Sequence, residues 1–332
     1  MTDTDIHKRI GETLTGGRPA VITAHVRMDG DAIGSALALW HALRAEGVDA
    51  RMAFEPPVPG MFNFLPGLNG SVEDPPDLPD EYNLAVIDCG TFERVGDIRE
   101  KLTDRRRTVN IDHHASNTLF GDLNYVDAEA SSCGEMVRAL FATVGVGLTP
   151  PIAECLFAAI VSDTGRFSHQ DTTPQALNVC AECIEVGVRP DEVVRNLFMS
   201  PSPAQVRLRQ LALGTLRFHC DERVTTMRVT EEMFNQTGLT PLDTEGFADI
   251  PISIQGVQAS ALLKEMPGCD WVKVSFRSRG EVDVCEVAGL FGGGGHMHAA
   301  GCEIARTLDA AESMVVDELC RQCREVYPDT AT

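Results

Sequence analysis

The first half of the chain alternates short apolar runs with longer segments of helical periodicity. Strands are predicted at 20–24, 50–54, 84–87 and 108–111. Residues 32–46 repeat their apolar positions as an amphipathic helix does, and this helix should end before Gly47. Because strands separated by helices usually pair in parallel, the pattern predicts an α/β fold with a mainly parallel, doubly wound sheet.

Three further helices are indicated by the residues that begin them. Ser132 and Glu135 have the spacing of a capping box, in which each side chain bonds the other residue's backbone N–H. Pro150 and Pro174 occupy positions typical of a first helical turn. These signals predict helices that follow the last strand of the sheet.

The pattern changes after residue 189. Residues 189–216 remain helical with a Ser-Pro break, and we interpret them as a connection between domains. Beyond it, strands are predicted at 224–229, 260–264 and 271–277, and helices at 283–291 and 308–326. The sequence therefore predicts a first domain at 1–190, a helical linker at 191–216 and a smaller α+β domain at 217–332.

Composition supports a globular protein with two domains. The chain has 332 residues, of which 43% are apolar and 23% charged. It has no apolar run long enough to span a bilayer, and its polar start is not a signal peptide, so we expect a cytoplasmic protein without a membrane partner. The eleven cysteines are expected to be reduced. Two CxxC pairs, Cys180/Cys183 and Cys320/Cys323, lie in helical patterns that favour core thiols over zinc.

The net charge of −21 restricts the partners. A surface this acidic repels duplex nucleic acid, so duplex DNA is not an expected partner. A small phosphorylated substrate in a local basic or metal-lined pocket stays compatible with the charge.

Metal-ligand residue types follow several predicted strands, at the edge where α/β sheets bind ligands. Asp112-His113-His114 ends the strand at 108–111. The others are His25, Asp29 and Asp31 after the first strand, Asp88 after the strand at 84–87, and Asp163 where an apolar helix ends. Each has an ordinary alternative, since an aspartate can cap a helix and the Asp-His-His run can be a solvated strand end. Together, carboxylates and imidazoles predict Mn²⁺ or a related ion, and their number predicts two ions sharing a carboxylate.

A second candidate site is the run Gly292–Gly295 followed by His296. Glycines allow close backbone approach and can orient N–H groups toward an anion. A flexible hinge is the alternative for the glycines alone. His296 next to the run, with Arg277 and Ser278 at the end of a predicted strand, favours a phosphate-binding loop.

These motifs, in this order, resemble those of the DHH phosphoesterases. The matching residues are His25, Asp29, Asp31, Gly34, Ser35, Asp88, Asp112, His113, His114 and Asp163. The glycine run with His296 and Ala299-Ala300-Gly301 resembles the signature of the associated DHHA1 domain. The resemblance implies a DHH domain at 1–190 and a DHHA1 domain at 217–332. Within the superfamily, the two-domain length resembles the bifunctional oligoribonucleases (nanoRNases) that also dephosphorylate 3′-phosphoadenosine 5′-phosphate (pAp).

The resemblance also implies a role for each residue. His25, Asp29 and Asp88 would bind one Mn²⁺ ion, and Asp31, Asp88, His113 and Asp163 the other. The catalytic residues would be Asp112 and His114. Asp112 would orient His113, and His114 would contact the scissile phosphate. The substrate would be bound by Arg277, Ser278, Gly293, Gly294, Gly295 and His296.

The expected activity is therefore hydrolysis of short single-stranded RNA and of pAp by two-metal water attack. Alternatives are a cyclic-dinucleotide or linear dinucleotide phosphodiesterase and, in another class, a nucleotide-binding protein without catalysis. An inorganic pyrophosphatase would share the metal motifs but lack the glycine-rich domain, so the glycine run argues against that activity. The segment Ser168-His169-Gln170-Asp171 departs from the family pattern, which leaves base and chain-length preference open. A homodimer is compatible with this assignment.

Overall fold

A computed structural model describes residues 2–71, 78–198, 201–244 and 246–328 of the chain. The chain divides into two compact units, 1–200 and 201–332. Residues 72–77, which include Pro75 and Pro76, and Ser200 of the Ser-Pro break lie outside the described residues. The proposed boundaries, with a separate linker at 191–216, stay a prediction.

The first unit contains a sheet of five parallel strands in the order β2-β1-β3-β4-β5. The strands are β1 Ala20–Ala24, β2 Ala50–Met52, β3 Tyr82–Ile87, β4 Arg105–Asp112 and β5 Leu123–Val126. The predicted parallel α/β sheet is confirmed. The short edge strand β5 was not predicted, because only half of its residues are buried and its apolar run is short.

Helical segments cover both faces of this sheet. The α-helices are α1 Asp3–Thr15, α2 Gly30–Ala45, α3 Leu68–Ser71, α4 Cys133–Val144, α5 Pro150–Asp163, α6 Pro174–Val186 and α7 Pro190–Phe198. Alternate strand residues face opposite sides, so Ile22 packs in the core under the long helices while Val21 packs in the core on the other side. That second core is closed by 3₁₀ helices at Phe92–Val95 and Asp97–Glu100.

Only half of the predicted capping box forms at the start of α4. The Ser132 side chain accepts a hydrogen bond from the backbone N–H of Glu135, as expected. The Glu135 carboxylate instead accepts from the N–H and hydroxyl of Ser131 and from the hydroxyl of Thr173. Glu135 is buried, and it stabilises the start of α6 as well as that of α4.

The second unit is an α+β domain with a six-stranded mixed sheet in the order β10-β11-β9-β8-β7-β6. The strands are β6 Arg217–His219, β7 Val224–Val229, β8 Ala259–Glu265, β9 Val272–Ser278, β10 Gly294–His296 and β11 Ala299–Ile304. The helices are α8 Pro203–Leu213, α9 Glu231–Thr237, α10 Asp249–Ile252, α11 Val284–Leu290 and α12 Leu308–Val326. The predicted α+β class is confirmed. Among the described ranges, no helix combines the length and apolar character needed to cross a bilayer.

Gly34 allows α2 and α5 to approach closely. A Cβ atom at Gly34 would lie 2.5 Å from the Cys155 carbonyl oxygen and 3.0 Å from the Ala159 Cβ. We expect Gly34→Ala to lower the free energy of unfolding by about 1–2 kcal/mol, because the clash exceeds the gain in helix propensity. Urea unfolding monitored by circular dichroism measures the change. Gly147→Ala, which adds a Cβ into open space, is the control, and equal midpoints for the two variants would contradict the close approach.

Candidate metal centre

The predicted ligand residues of the first unit come together at one edge of its sheet. Strands β1, β3 and β4 are parallel, so their carboxyl ends lie side by side. His25, Asp88 and His113 each directly follow one of these strands. Asp29 and Asp31 lie at the start of α2, and Asp163 is the last residue of α5. The local order of the chain thus delivers carboxylates and imidazoles to a common place.

Asp88 lies at the centre of this group. One carboxylate oxygen is 3.1 Å from His25 Nε2, and the other is 3.6 Å from His113 Nε2 and 3.5 Å from His114 Nδ1. The side chain is only 2% exposed. Its backbone adopts φ 55°, a left-handed conformation that costs a non-glycine residue about 1–2 kcal/mol. The surrounding structure therefore holds Asp88 in a strained position between imidazoles from two strands.

His25, Asp29 and Asp88 form a first cluster, with ligand atoms within 4.8 Å of one another. The His25 Nδ1 donates to the Val26 carbonyl at 2.8 Å, which leaves Nε2 directed at Asp88. Asp29 caps α2 through Oδ1, which accepts from Ala32 N at 3.0 Å. Its Oδ2 is 3.9 Å from His25 Nε2. The capping role and the ligand role of Asp29 are therefore compatible, because they use different oxygens.

Asp31, His113 and Asp163 form a second cluster within the same 4.8 Å limit. His113 Nε2 is 3.4 Å from Asp163 Oδ2 and 4.0 Å from Asp31 Oδ2. Since Asp88 Oδ1 also approaches His113, one carboxylate contacts both clusters. Asp88 therefore lies between two groups of residues that could each hold a metal ion.

Asp31 is oriented by the N-terminus of α4. Its two oxygens accept hydrogen bonds from the backbone N–H groups of Cys133 at 2.7 Å and Gly134 at 2.9 Å. Ser35, one turn along α2, donates its hydroxyl to Asp31 Oδ1 at 2.9 Å. Helix N-termini stabilise negative charge, so α4 fixes a carboxylate that is only 1% exposed.

Asp112 orients His114, whereas the expectation was that it orients His113. Its Oδ1 accepts from His114 Nδ1 at 2.7 Å, and its Oδ2 accepts from the Asn117 amide at 2.6 Å. The ring of His113 contacts the Ala130 carbonyl instead, at 3.3 Å. The expectation was wrong because residues two apart at a strand end point to the same side, as Asp112 and His114 do. Asn117 was missed, and its only sequence signal is its closeness to the Asp-His-His run.

Crowding of carboxylates shifts several pKa values. Burial and the charge of Asp88 raise the pKa of Asp31 to about 7. Burial, together with the charges of Asp31 and Asp29, raises the pKa of Asp163 well above its usual range. Burial opposes ionisation of Asp88, but its hydrogen bond with His25 holds the pKa of Asp88 below the usual range. Burial alone would lower the pKa of His25, and Asp88 raises it to about 9.

The donor set fits a divalent cation. Buried carboxylates in mutual repulsion need positive charge, and without a cation protons supply part of it. A ligand set of carboxylate oxygens and imidazole nitrogens is typical of first-row divalent ions. A magnesium site would have oxygen ligands alone, and a structural zinc site would have thiolates. Cys133 is the one thiol grouped with these residues in the described chain, and its Sγ lies 3.7 Å from Asp88 Oδ1.

The substrate candidates of the second unit lie on its sheet. The β10–β11–β9 register places His296 opposite Ala299, and Ala299 opposite Arg277, so the three side chains share one face. Arg277 is one-third exposed and donates to Asp249 at 2.8 Å. Ser278 is buried and its hydroxyl donates to the Val282 carbonyl at 2.6 Å, which leaves it little capacity to contact a ligand.

The second half of the glycine run, Gly294 and Gly295, lies in the edge strand β10. A Cβ at Gly293 would lie 2.1 Å from the Gly301 carbonyl oxygen, and one at Gly295 would lie 2.5 Å from that of Ala299. These glycines are therefore required by the close approach of β11. Gly294 has nothing within 4 Å of its Cβ position, and so packing within the described chain does not require a glycine there.

Comparison with known proteins agrees with this geometry. Residues 19–160 match the DHH family, N-terminal domain, and residues 221–324 match the DHHA1 domain. This chain belongs to the DHH family.

Its relatives include two proteins named bifunctional oligoribonuclease and PAP phosphatase NrnA. The protein from Thermus thermophilus is 34% identical over 300 residues, which cover 90% of this chain and 88% of the relative. The protein from Bacillus subtilis is 28% identical over 314 residues, covering 91% and 95%. The crystal structure of an exopolyphosphatase-related protein from Bacteroides fragilis shares the fold, with a TM-score of 0.87, 24% identity and 97% coverage of both chains.

Cation binding should release protons. Ligation requires ionised Asp31, whose pKa is about 7, and neutral His25, whose pKa is about 9. We therefore expect affinity for Mn²⁺, used as a probe, to rise as the pH increases through about 7 towards about 9. Calorimetric titration in buffers of different ionisation enthalpy counts the protons. Asp31→Asn should remove the component near pH 7, whereas the exposed control Asp104→Asn should keep it. An affinity independent of pH would contradict the arrangement.

Proposed function

We propose that this chain is a two-metal phosphoesterase that cleaves short oligoribonucleotides to mononucleotides and dephosphorylates pAp. The observation that carries the proposal is Asp88, whose two oxygens contact both ligand clusters at one sheet edge. The names of the two relatives supply the substrate class. A cyclic-dinucleotide or linear dinucleotide phosphodiesterase is the alternative for the same chemistry.

In this proposal Mn²⁺ is the native cation. His25, Asp29 and Asp88 would hold one ion, and Asp31, Asp88, His113 and Asp163 would hold the second. The mixture of imidazole and carboxylate ligands supports Mn²⁺ over Mg²⁺, which favours oxygen ligands and retained water. When bound, the two ions would supply a water of lowered pKa and positive charge for the phosphoryl group.

The chain's own residues would orient the substrate. Burial acts to lower the pKa of His114, but its hydrogen bond to Asp112 raises that pKa above the ordinary value. Asp112 holds Nδ1, so the protonated ring can donate from Nε2 to a phosphoryl oxygen as negative charge develops there. In the second unit, Arg277 and His296 would bind further phosphate or ribose groups, and Gly294 would allow close approach of the nucleotide.

The direct test offers four substrates in parallel to the purified full-length protein with Mn²⁺. We expect release of phosphate from pAp and of mononucleotides from a diribonucleotide, with slower cleavage of longer RNA and little of pyrophosphate. Chromatography of the products distinguishes the four reactions. Hydrolysis of pyrophosphate alone would overturn the proposal, and a preference for linear dinucleotides over pAp would favour the alternative.

Replacement of His113 and replacement of His114 should have different effects on the protein. His114→Ala should lower kcat by about 10²–10³-fold, the range for loss of a donor to developing charge, with Mn²⁺ affinity unchanged. His113→Ala should instead weaken Mn²⁺ binding, because its Nε2 is one of the candidate ligand atoms of the second cluster. Steady-state kinetics and metal titration separate the two effects. Equal loss of Mn²⁺ affinity in both variants would contradict the assigned roles.

Gly294 should affect substrate binding without affecting stability. Because a Cβ at this position meets no atom of the described chain, Gly294→Ala should fold normally. We expect its KM for pAp to rise about tenfold, since one displaced close contact costs about 1–2 kcal/mol. Gly289→Ala, also in open space, is the control and should leave KM unchanged. If both variants behave like the wild type, Gly294 does not contact the substrate.

A further inference from the structure

Arg94 follows the candidate ligand Asp88 along the chain and is not one of the candidate metal-binding or substrate-binding residues. It belongs to the 3₁₀ helix Phe92–Val95, six residues after Asp88. Its carbonyl accepts a hydrogen bond from the backbone N–H of Val26 at 2.7 Å, and Val26 directly follows the candidate ligand His25. The backbone of Arg94 is thus fixed between two strand ends that carry ligand residues.

The segment around Arg94 packs closely against the end of β1. Gly96, at the end of the 3₁₀ helix, has φ 89°, and a Cβ there would lie 2.3 Å from the Val26 side chain. The close packing keeps the 3₁₀ helix against the end of β1. The Arg94 side chain itself is exposed, so the guanidinium stands on the solvent side of a fixed backbone.

The segment that leads to Arg94 passes beside the Asp-His-His run. A Cβ at Gly90, four residues before Arg94, would lie 3.7 Å from Asp112 Oδ2 and 3.7 Å from His114 Cβ. The 3₁₀ helix that carries Arg94 therefore begins close to the residue that faces the proposed phosphate position.

Arg94 makes no hydrogen bond or ion pair through its side chain with any residue in the described ranges. Other arginines of the first unit have carboxylate partners, as Arg51 has in Asp49 and Arg138 in Glu182. A guanidinium in an excess of carboxylates, near a cluster of them and bonded to none, is available for an anion from solution.

We propose that Arg94 binds non-bridging oxygens of the phosphoryl group that is hydrolysed at the metal centre. The planar guanidinium offers paired N–H donors that match two phosphoryl oxygens, and its charge offsets their negative charge. Arg94 would thus act from the first unit, independently of Arg277 in the second. The inference rests on the proposed phosphoesterase function and adds a substrate-binding residue to it.

The test uses the full-length protein loaded with Mn²⁺ and compares Arg94→Gln, Arg94→Lys and Arg99→Gln. Arg99 is the matched control, since it lies on the next 3₁₀ helix and donates to the Glu93 carbonyl. The first measurement is calorimetric binding of inorganic phosphate, which needs no turnover. We expect Arg94→Gln to weaken phosphate binding about 10- to 100-fold, the range for a hydrogen bond to a charged group. Arg94→Lys should retain part of the affinity and Arg99→Gln all of it.

The second measurement is kcat/KM for pAp and for a diribonucleotide. Because Arg94 would contact the phosphoryl group common to both reactions, Arg94→Gln should lower the two values by similar factors and reduce their dependence on salt. Mn²⁺ affinity should stay at the wild-type value, which shows that the ligand clusters are intact.

The outcomes separate the two proposals. Wild-type phosphate affinity in Arg94→Gln, or an equal loss in Arg99→Gln, would overturn the role of Arg94. If the wild type hydrolyses neither substrate while Arg94→Gln still loses phosphate affinity, the proposed function fails and the phosphate contact stands. Loss of Mn²⁺ affinity in Arg94→Gln would also overturn the inference, because Arg94 would then support the metal ligands rather than the substrate.

Discussion

The repulsion among buried carboxylates is the constraint on which the centre depends. Asp31, Asp88 and Asp163 lie close together, and the first two are almost fully buried. Such a group is stable only with positive charge among its members, whether from protons, imidazolium rings or cations. The structure meets this requirement in part with hydrogen bonds from α4 to Asp31 and with His25 beside Asp88. The negative charge that these contacts leave uncompensated is suited to binding divalent cations.

Much of the candidate metal centre could be predicted, because its residues directly follow strands in the sequence and the parallel sheet brings the ends of those strands together. Parallel strands place their carboxyl ends at one edge, so the residues after β1, β3 and β4 must be neighbours once the strands are known. His25, Asp88 and His113 follow from this rule alone. Asp163 is different, since it ends a helix and not a strand, and this rule for strands does not cover it.

The contacts that could not be predicted depend on side-chain direction or on distant segments. The bond from His114 to Asp112, rather than from His113, is decided by the direction of each side chain at the end of β4. Asn117 and the N–H groups of Cys133 and Gly134 contact the aspartates from other segments. Likewise, β10 and β11 were missed because glycine and alanine carry little strand signal. Their pairing shows that Gly293 and Gly295 serve the sheet, which leaves Gly294 as the informative glycine of the run.

The order of the ligands along the chain has a consequence for folding. His25 and Asp163 come from near the two ends of the first unit's α/β core, and an unfolded chain would hold them far apart. A cation that needs both clusters can therefore bind only after β1, β3, β4 and α5 have assembled. It would act as a crosslink that forms last and closes long loops, so its binding energy would add to the stability of the folded state. The supply of the metal in the cell would then affect the stability of the folded protein as well as its activity.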